Sequence, residues 1–564
     1  MKTKFFLIAL LIVTQNIYAQ TPTWEWAQGS IGTMSGDNGG GKVKIGKSGD
    51  VYVIGDFLGD SVTFGSITLY RQSLLTTGGI DNFFILKYNA SGNLLLAKNL
   101  AIGSFSGFGF DLDDLDNIYI SGYFSLDSVI IGTTTIYNKG DETAFLAKFD
   151  SLGNSIWVKS NSKGGYLYTR SVNVDVSGNI YLFGACTSSD TLNFDPITVI
   201  LNDSISYLFI TKFNPSGTPI WIKCFGANKQ GVMRAGGVDA NDITTDALGN
   251  IFITGSFSAP YLLFDTITIY NDHPPGWWDD IFLVKLDSSG NALWAKSQGG
   301  HNQNGDAGWC VNVDAIGNVN MAGYFTPNST FDSVSITGVG AFLAQYNPNG
   351  KLNWIKAIKG GAYIWGLSVD AFGNKFVVGY FTGDSIWIDS ITIQNTHSLY
   401  MTHPGCIIVA KFDSLGHMPW IINGIGAGYG AGIDADIYGN IYIVGSYEWD
   451  SLILGSNILL SNISLGTTFV AKLSNVTGIS EVNEKYQNIL VIYPNPLTSS
   501  STLQFNTQLK DAEVVIYDIV GKEMLRKKLT GDRMEIEKGS LERGVFFVKV
   551  ISEEGQWVEK MVVE

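Results

Sequence analysis

Apolar and polar residues alternate with a period of two through most of the chain, in runs broken by Asp, Asn and Gly. That period belongs to β-strands, whose successive side chains point to opposite faces. Two kinds of segment recur. The first opens with Asp-x-x-Gly-Asn, continues as alternating apolar residues and ends in Gly-x-Phe. It reads DVSGNIYLFGAC from Asp175, DALGNIFITGSF from Asp246, DAIGNVNMAGYF from Asp314, DAFGNKFVVGYF from Asp370 and DIYGNIYIVGSY from Asp436. Looser copies start at Gly46 and Asp113. The second reads AFLAKFDSLGNSIWVK from Ala144, YLFITKFNPSGTPIWIK from Tyr207, IFLVKLDSSGNALWAK from Ile281 and AFLAQYNPNGKLNWIK from Ala341, with further copies from Phe83 and Cys406. It predicts a strand, a four-residue turn with Gly, and a second strand carrying Trp, or Leu in the first copy.

The glycines closing the first segment are Gly55, Gly122, Gly184, Gly255, Gly323, Gly379 and Gly445, seven copies at a mean spacing of 65 residues. One repeat therefore predicts two hairpins, or four main strands. Such a unit cannot bury both of its faces alone, so copies must stack. Four-stranded repeats arranged radially make a β-propeller, whereas the coils of a linear solenoid are usually shorter. The seventh copy, TFVAKLSNVTG from Thr467, lacks its Trp strand, and TPTWEWAQGSIG from Thr21 reads as the missing piece. A strand with Trp24 or Trp26 in the Trp position would complete the last blade and remove an open edge. The expected fold is all-β: a seven-bladed β-propeller with four-stranded blades over residues 20–475, followed by a small β-sandwich.

Composition agrees. Charged residues are 15% of the chain, against about 25% in ordinary domains. Aromatics are 13% and glycines number 66 of 564, which excludes long disorder and suits many strands with tight turns. A net charge of −15 excludes a nucleic-acid partner held by phosphate contacts.

The start of the chain has a different character. Lys2 and Lys4 precede an apolar run over residues 5–13, and polar residues lead to Tyr18-Ala19-Gln20. This is the layout of a secretory signal peptide over residues 1–19, cleaved between Ala19 and Gln20. The run is shorter than the roughly 20 apolar residues a bilayer span needs, and no later stretch qualifies, so no transmembrane segment is expected in the mature chain. Cys186, Cys224, Cys310 and Cys406 allow three disulfide pairings, and spacing does not choose among them. Buried free thiols are the simpler expectation.

Charge rises near the other end. Residues 485–564 hold 11 basic and 12 acidic residues. Alternating runs separated by Gly turns predict the sandwich over residues 488–564, after a linker at 476–487. The repeats resemble the bacterial SBBP β-propeller family, in a Gly-Asn-Ile/Val-Tyr strand followed by an Ala-Phe-x-Ala-Lys-x-Asp-x-x-Gly hairpin ending in Trp. That resemblance implies a fold and no activity. The final module resembles the type A C-terminal sorting domain of the Bacteroidetes type IX secretion system. Its carriers are Tyr493-Pro494-Asn495-Pro496, the hairpin around Gly521, and Gly544 with the apolar strand it opens. The resemblance implies the type IX secretion machinery as a partner, periplasmic transit, and a secreted or outer-membrane surface-attached product from which the module is often removed.

Candidate chemistry in the repeats is sparse. The aspartates Asp113, Asp175, Asp246, Asp314, Asp370 and Asp436 are expected to accept N–H groups within their own turns. The acidic run at 111–116 lacks the Gly and terminal Glu of an EF-hand loop, so no cofactor and no metal site is expected, with Ca²⁺ at this run the alternative. The Trp residues are expected to pack between blades. No nucleophile elbow or phosphate loop is present. The two hairpin turns of each repeat fall on one face, and the longer connections on the other. Those longer connections carry Tyr166, Tyr168 and Arg170; His301, Asn302 and Trp309; Tyr363 and Trp365; Trp277 and Trp278; and His397 with His403. Rings that stack and amides that hydrogen-bond suit a glycan or a surface protein. A hydrolase or lyase working through Asp residues on that face is the alternative, and a purely structural surface protein is another. No catalytic residue is assigned.

Overall fold

A computed structural model describes residues 22–32, 41–72, 81–103, 105–161, 166–187, 191–201, 206–227, 237–272, 278–300, 305–395, 405–448, 451–461, 466–474, 490–493, 495–518, 522–552 and 555–563. The proposed signal peptide, Ala19, Gln20 and the linker lie outside these residues. The chain divides into two compact units, Met1–Val476 and Thr477–Glu564. Among the described residues every helix or strand is a strand.

The third repeat states the plan of the first unit. Tyr166–Val174, Ile180–Thr187, Ser206–Phe213 and Pro219–Ala227 pair antiparallel in that order. The same order recurs in the repeats headed by Lys42–Ile45, Ser106–Leu112, Val238–Thr245, Ala307–Val313 and Ala362–Val369. These heading strands are the inner strands. Each packs beside the inner strand of the next repeat, and Gly428–Ala435 packs beside Lys42–Ile45, so the series closes on itself. This is an arrangement of the β-propeller kind. The strands behind them, such as Ile251–Phe257, are buried on both faces, which is why they read as nearly continuous apolar runs. The cores lie between repeats: one joins Tyr181 and Phe183 of the third to Ile251 and Phe282 of the fourth.

Closure uses the chain's own beginning. Trp24–Gly32 pairs antiparallel with Thr467–Leu473 and supplies the fourth strand of the last repeat. Trp26 fills the Trp position: its indole Nε1 donates to the Ala90 carbonyl of the first repeat at 3.1 Å. Trp294 and Trp354 make the same bond to Pro348 and Ser414 of their following repeats. The ring lies over the glycine of the neighbouring turn. A Cβ on Gly92 would stand 2.6 Å from Trp26, and Gly92 sits at a φ of +82°, so both space and backbone require glycine there.

Each repeat also holds a third hairpin that the reading of four-stranded blades omitted. Ser61–Phe64 with Ile67–Tyr70 is one, and Tyr261–Phe264 with Ile267–Tyr270 another. These hairpins extend the sheet of the preceding repeat: Ser61–Phe64 pairs with Trp24–Gly32, and Tyr261–Phe264 with Pro219–Ala227. Four sheets of six strands result, whereas Thr191–Phe194 with Ile197–Ile200, Ser329–Phe331 with Val334–Ile336 and Ser451–Leu454 with Asn457–Leu460 remain two-stranded sheets. The long connection after the second strand is thus mostly hairpin, and where it pairs with the preceding repeat it covers an open edge.

The second unit is five strands around one core. Ser500–Asp518 pairs with Leu490–Tyr493, with Glu523–Glu537 and with Gly544–Ser552, which pairs with Gly555–Val563. The pairing of Ser500–Asp518 with Glu523–Glu537 shifts register around Leu509. Leu503, Val514, Ile516, Val548 and Met561 are buried inside the unit. Asn495 Oδ1 accepts the Val562 N–H at 2.8 Å, while Pro496 is exposed. Gly544 begins the strand it was expected to open. Pro494 and Gly521 lie outside the described residues.

Candidate functional site

The repeated aspartates are turn residues. Asp175 Oδ1 accepts the N–H groups of Ser177 and Asn179, and its Oδ2 accepts the Asn179 amide. Asp246, Asp314, Asp370 and Asp436 repeat this set. The turns follow the inner strands and gather at one end of the ring. The other end is the mouth.

Near the mouth the inner strands carry a β-bulge. Register shifts fall between Thr169 and Ser171, Ala240 and Asp242, Gly308 and Cys310, and Ile364 and Gly366. A bulge takes one residue out of the alternation and re-aims it. The bulged residues are Arg170, Asn241, Trp309 and Trp365, and they are linked through side-chain bonds, the Gly308 carbonyl and a ring contact. Arg170 Nη1 donates to Asn241 Oδ1 at 3.2 Å. Asn241 Nδ2 donates to the Gly308 carbonyl at 2.8 Å. The rings of Trp309 and Trp365 stand 4.7 Å apart at 41°. A guanidinium, an amide and two indoles thus form one continuous strip across four repeats.

Tyrosines form a second tier. Tyr324, Tyr363 and Tyr380 stack at 5.1 Å spacings, and Tyr380 meets Tyr429 edge-on at 4.7 Å. Tyr168 donates its hydroxyl to the Val238 carbonyl and lies 6.0 Å from Tyr123. Burial pushes the Tyr324 phenol up to about 12 and raises Tyr168 and Tyr380 as well. All three are therefore neutral hydrogen-bonding groups at ordinary pH.

Deeper along the inner strands the charged groups are committed to neighbours. Asp111 accepts the Val174 N–H at 2.7 Å and pairs with Lys44 at 3.1 Å. Asp242 accepts the Ser171 hydroxyl and the Val311 N–H. Asp434 accepts the Ile45 N–H and the Ser368 hydroxyl. Each carboxylate spans from one repeat to another. Burial raises the carboxyls of Asp242 and Asp434, and Asp111 raises the ammonium of Lys44. One further acidic pair lies between the fourth and fifth repeats. Burial raises Asp280 to about 8 and Asp306 to about 6. Both are 0% exposed. Asp306 holds Gly300, Thr326 and Ser329, and Asp280 holds the Asp272 N–H.

The structure thus brings together Arg170, Trp309, Trp365, Tyr168 and Tyr363 among the residues singled out by sequence. Tyr166 begins its inner strand and is 46% exposed. Trp278 sits in the connection behind the mouth, where its carbonyl accepts the Asn271 amide. Trp277, His301, Asn302, His397 and His403 lie outside the described residues. Asn241 was missed. So were Tyr324, Tyr380 and Tyr429. Among the described residues no group of three or more His, Cys, Asp or Glu is placed to hold a metal ion, and all four cysteines are free. Among the described residues no helix is long and apolar enough to cross a membrane.

Residues 491–564 match the Secretion system C-terminal sorting domain family. The chain is 24% identical over 450 residues to the uncharacterized WD repeat-containing protein L264 of Acanthamoeba polyphaga mimivirus; the match covers 66% of this chain and 32% of that protein. The chain thus spans about a third of that relative's length. Among solved structures, PorZ, a surface component of the type-IX secretion system of Porphyromonas gingivalis, aligns at 12% identity and a TM-score of 0.23, over 91% of this chain and 80% of that one. A protein of unknown function from Bacteroides thetaiotaomicron aligns at 11% and 0.29, over 75% and 94%. Apocarotenoid oxygenase from Synechocystis aligns at 10% and 0.27, over 80% and 94%. Scores this low carry neither fold nor function across. The chain therefore carries a secretion-system sorting domain at its C-terminal end, joined to an all-β body of the propeller kind.

Proposed function

We propose that this chain is a surface or secreted protein of the type IX route, and that its first unit is a seven-bladed propeller of the SBBP kind that binds a ligand at its mouth without chemistry. In this reading residues 1–19 direct export with cleavage between Ala19 and Gln20. Residues 476–487 link the propeller to a sandwich-like sorting domain at 488–564, which the secretion machinery reads. The observation that carries the binding assignment is the continuous strip Arg170–Asn241–Trp309–Trp365. Indole faces stack on the apolar faces of sugar rings, and the guanidinium reaches hydroxyl or carboxylate groups beside them, while the buried Asn241 amide, bonded to Arg170 and to Gly308, holds the strip in place. The ligand class is a glycan, with a protein surface as the other candidate.

The hydrolase alternative would run through Asp280 and Asp306, whose raised pKa values fit acid–base work. Their full burial, and the backbone groups they hold, favour a folding role. The test is a glycan array with the purified chain, with calcium and then with chelator, followed by an assay for breakdown of each bound glycan. Binding without turnover is expected, falling at least about tenfold in Trp365→Ala. Turnover abolished by Asp306→Asn would replace this reading with the hydrolase. Silence throughout would leave a protein partner or a structural role.

A further inference from the structure

The face opposite the mouth carries a ring of exposed apolar side chains. They sit at the tips of the inner turns: Leu115, Val176, Leu248, Ile316, Phe372 and the pair Ile437 and Tyr438. Each is between 65% and 83% exposed. Turn chemistry does not require them. The outer turns of the same repeats use the same Asp or Asn hydrogen bonds, yet their tips are mostly Ala, Ser, Pro or Asn, with Leu152 and Leu415 the exceptions. The apolar tips cannot fold back either, because each turn is pinned by its aspartate. Summed around the ring, these separate tips offer apolar surface on the order of 1,000 Å². It matches the roughly 800 Å² per partner of a standard stable interface.

The inner turn of the first repeat breaks the apolar ring. It carries Lys47 and Ser48, and the second repeat places Asp114 beside them. Lys47 Nζ and Asp114 Oδ1 are 3.4 Å apart, and both side chains are mostly exposed. A two-fold axis passing between these repeats would set Lys47 of one copy against Asp114 of the other, twice. The same axis maps Leu248 onto Phe372, Val176 onto the Ile437–Tyr438 turn, and Ile316 onto itself. Apolar tips then meet apolar tips everywhere except beside the charged pair. A surface complementary to its own rotated image is what an isologous interface requires.

We propose that this turn ring is a dimer interface, and that its occupant is a second copy of the same chain, face to face. The inference goes beyond ligand binding and leaves both mouths open. The test is sedimentation of the purified chain across a micromolar dilution series. A dimer is expected, weakened at least about thirtyfold in Leu248→Asp, with circular dichroism unchanged. Ile316→Cys is expected to give a disulfide-linked dimer on a non-reducing gel, since the axis pairs that turn with itself. A monomeric wild type overturns the proposal, including one that floats with phosphatidylglycerol vesicles and so marks the ring as a lipid contact. A dimer untouched by Leu248→Asp overturns it too. Glycan binding is read separately, so either conclusion can fail without the other.

Discussion

Trp26 holds the ring closed, and truncating it measures what closure contributes. The side chain is 9% exposed, bonds Ala90 of the first repeat, and lies about 6 Å from the rings of Tyr88 and Tyr442, which belong to the first and last repeats. A buried Trp hides roughly 200 Å². At about 25 cal/mol/Å² that is roughly 5 kcal/mol as an upper bound, and measured Trp→Ala costs run about 3–5 kcal/mol. Trp26→Ala should therefore cost about 4 kcal/mol. With an m-value of about 3 kcal/mol/M, the urea midpoint would fall by somewhat over 1 M. Trp294→Ala is the internal control. Its ring makes the same kind of bond to the next repeat but is only half-buried, so its cost should be smaller. A loss under about 1 kcal/mol for Trp26→Ala, or one smaller than for Trp294→Ala, would refute the reasoning: Trp24–Gly32 would then be dispensable. Deleting residues 22–32 would expose Thr467–Leu473 as an edge, and the product should aggregate.

Two other expectations follow from pairs inside the repeats. Gln345 occupies the position where other repeats have Lys, and its amide donates to Asn320 at 3.1 Å in the position where they have an aromatic ring. Gln345→Lys alone should destabilise, because it buries an ammonium without a ring. Adding Asn320→Tyr should recover about 1–2 kcal/mol, read as the coupling energy of a double-mutant cycle in urea; a coupling of zero sinks the idea. The second concerns pH. Asp280 and Asp306 have folded pKa values raised above the ordinary 3.8, to about 8 and about 6. Their neutral forms therefore favour folding fully below about pH 4, and that contribution is lost as pH rises through about 6 and then about 8. Asp280 also faces Asp272 and Asp279. Asp280→Asn should flatten the decline in urea stability between pH 6 and 9, and a variant curve parallel to wild type would count against the assignment.

Much of this fold could be read from the sequence because the repeats are made of local hydrogen bonds. Asp-x-x-Gly-Asn specifies its own turn, so its five inner-turn copies and two looser ones set the period and direction of the inner strands. The Trp strand missing from the last repeat was legible for the same reason. The third hairpin was not recognised, although its signal is present. Its two-residue turn begins with Gly65, Gly132, Asp265, Asp332, Asp389 or Gly455, all at positive φ, followed by short runs such as Ile-Thr-Leu-Tyr and Ile-Thr-Ile-Tyr. Runs of four residues look like loop when the pairing partner belongs to the preceding repeat. The mean period of 65 residues, long for four strands, was the arithmetic clue.

The mouth was partly legible for a different reason. Arg170, Trp309 and Trp365 stood out as bulky residues in long connections, whereas Asn241 did not. Yet all four lie five residues before the turn aspartate of their repeats: Asp175, Asp246, Asp314 and Asp370. The same count gives Phe108 before Asp113 and Ala431 before Asp436, and both fall in the bulges of their own inner strands. The column holds Phe, Arg, Asn, two Trp and Ala. Two places further on, Phe110, Val172, Ile243, Val311 and Ile433 are apolar and buried, and Leu367 is apolar and half-buried. A repeat array keeps identical the positions that must pack against the next copy. The bulge position stands outside the strict alternation, and here it holds Arg, Asn and two Trp in a row, with Asn241 buried and Trp309 packed against a core cluster. Counting five residues back from each aspartate therefore finds every member of the proposed binding strip, Asn241 included.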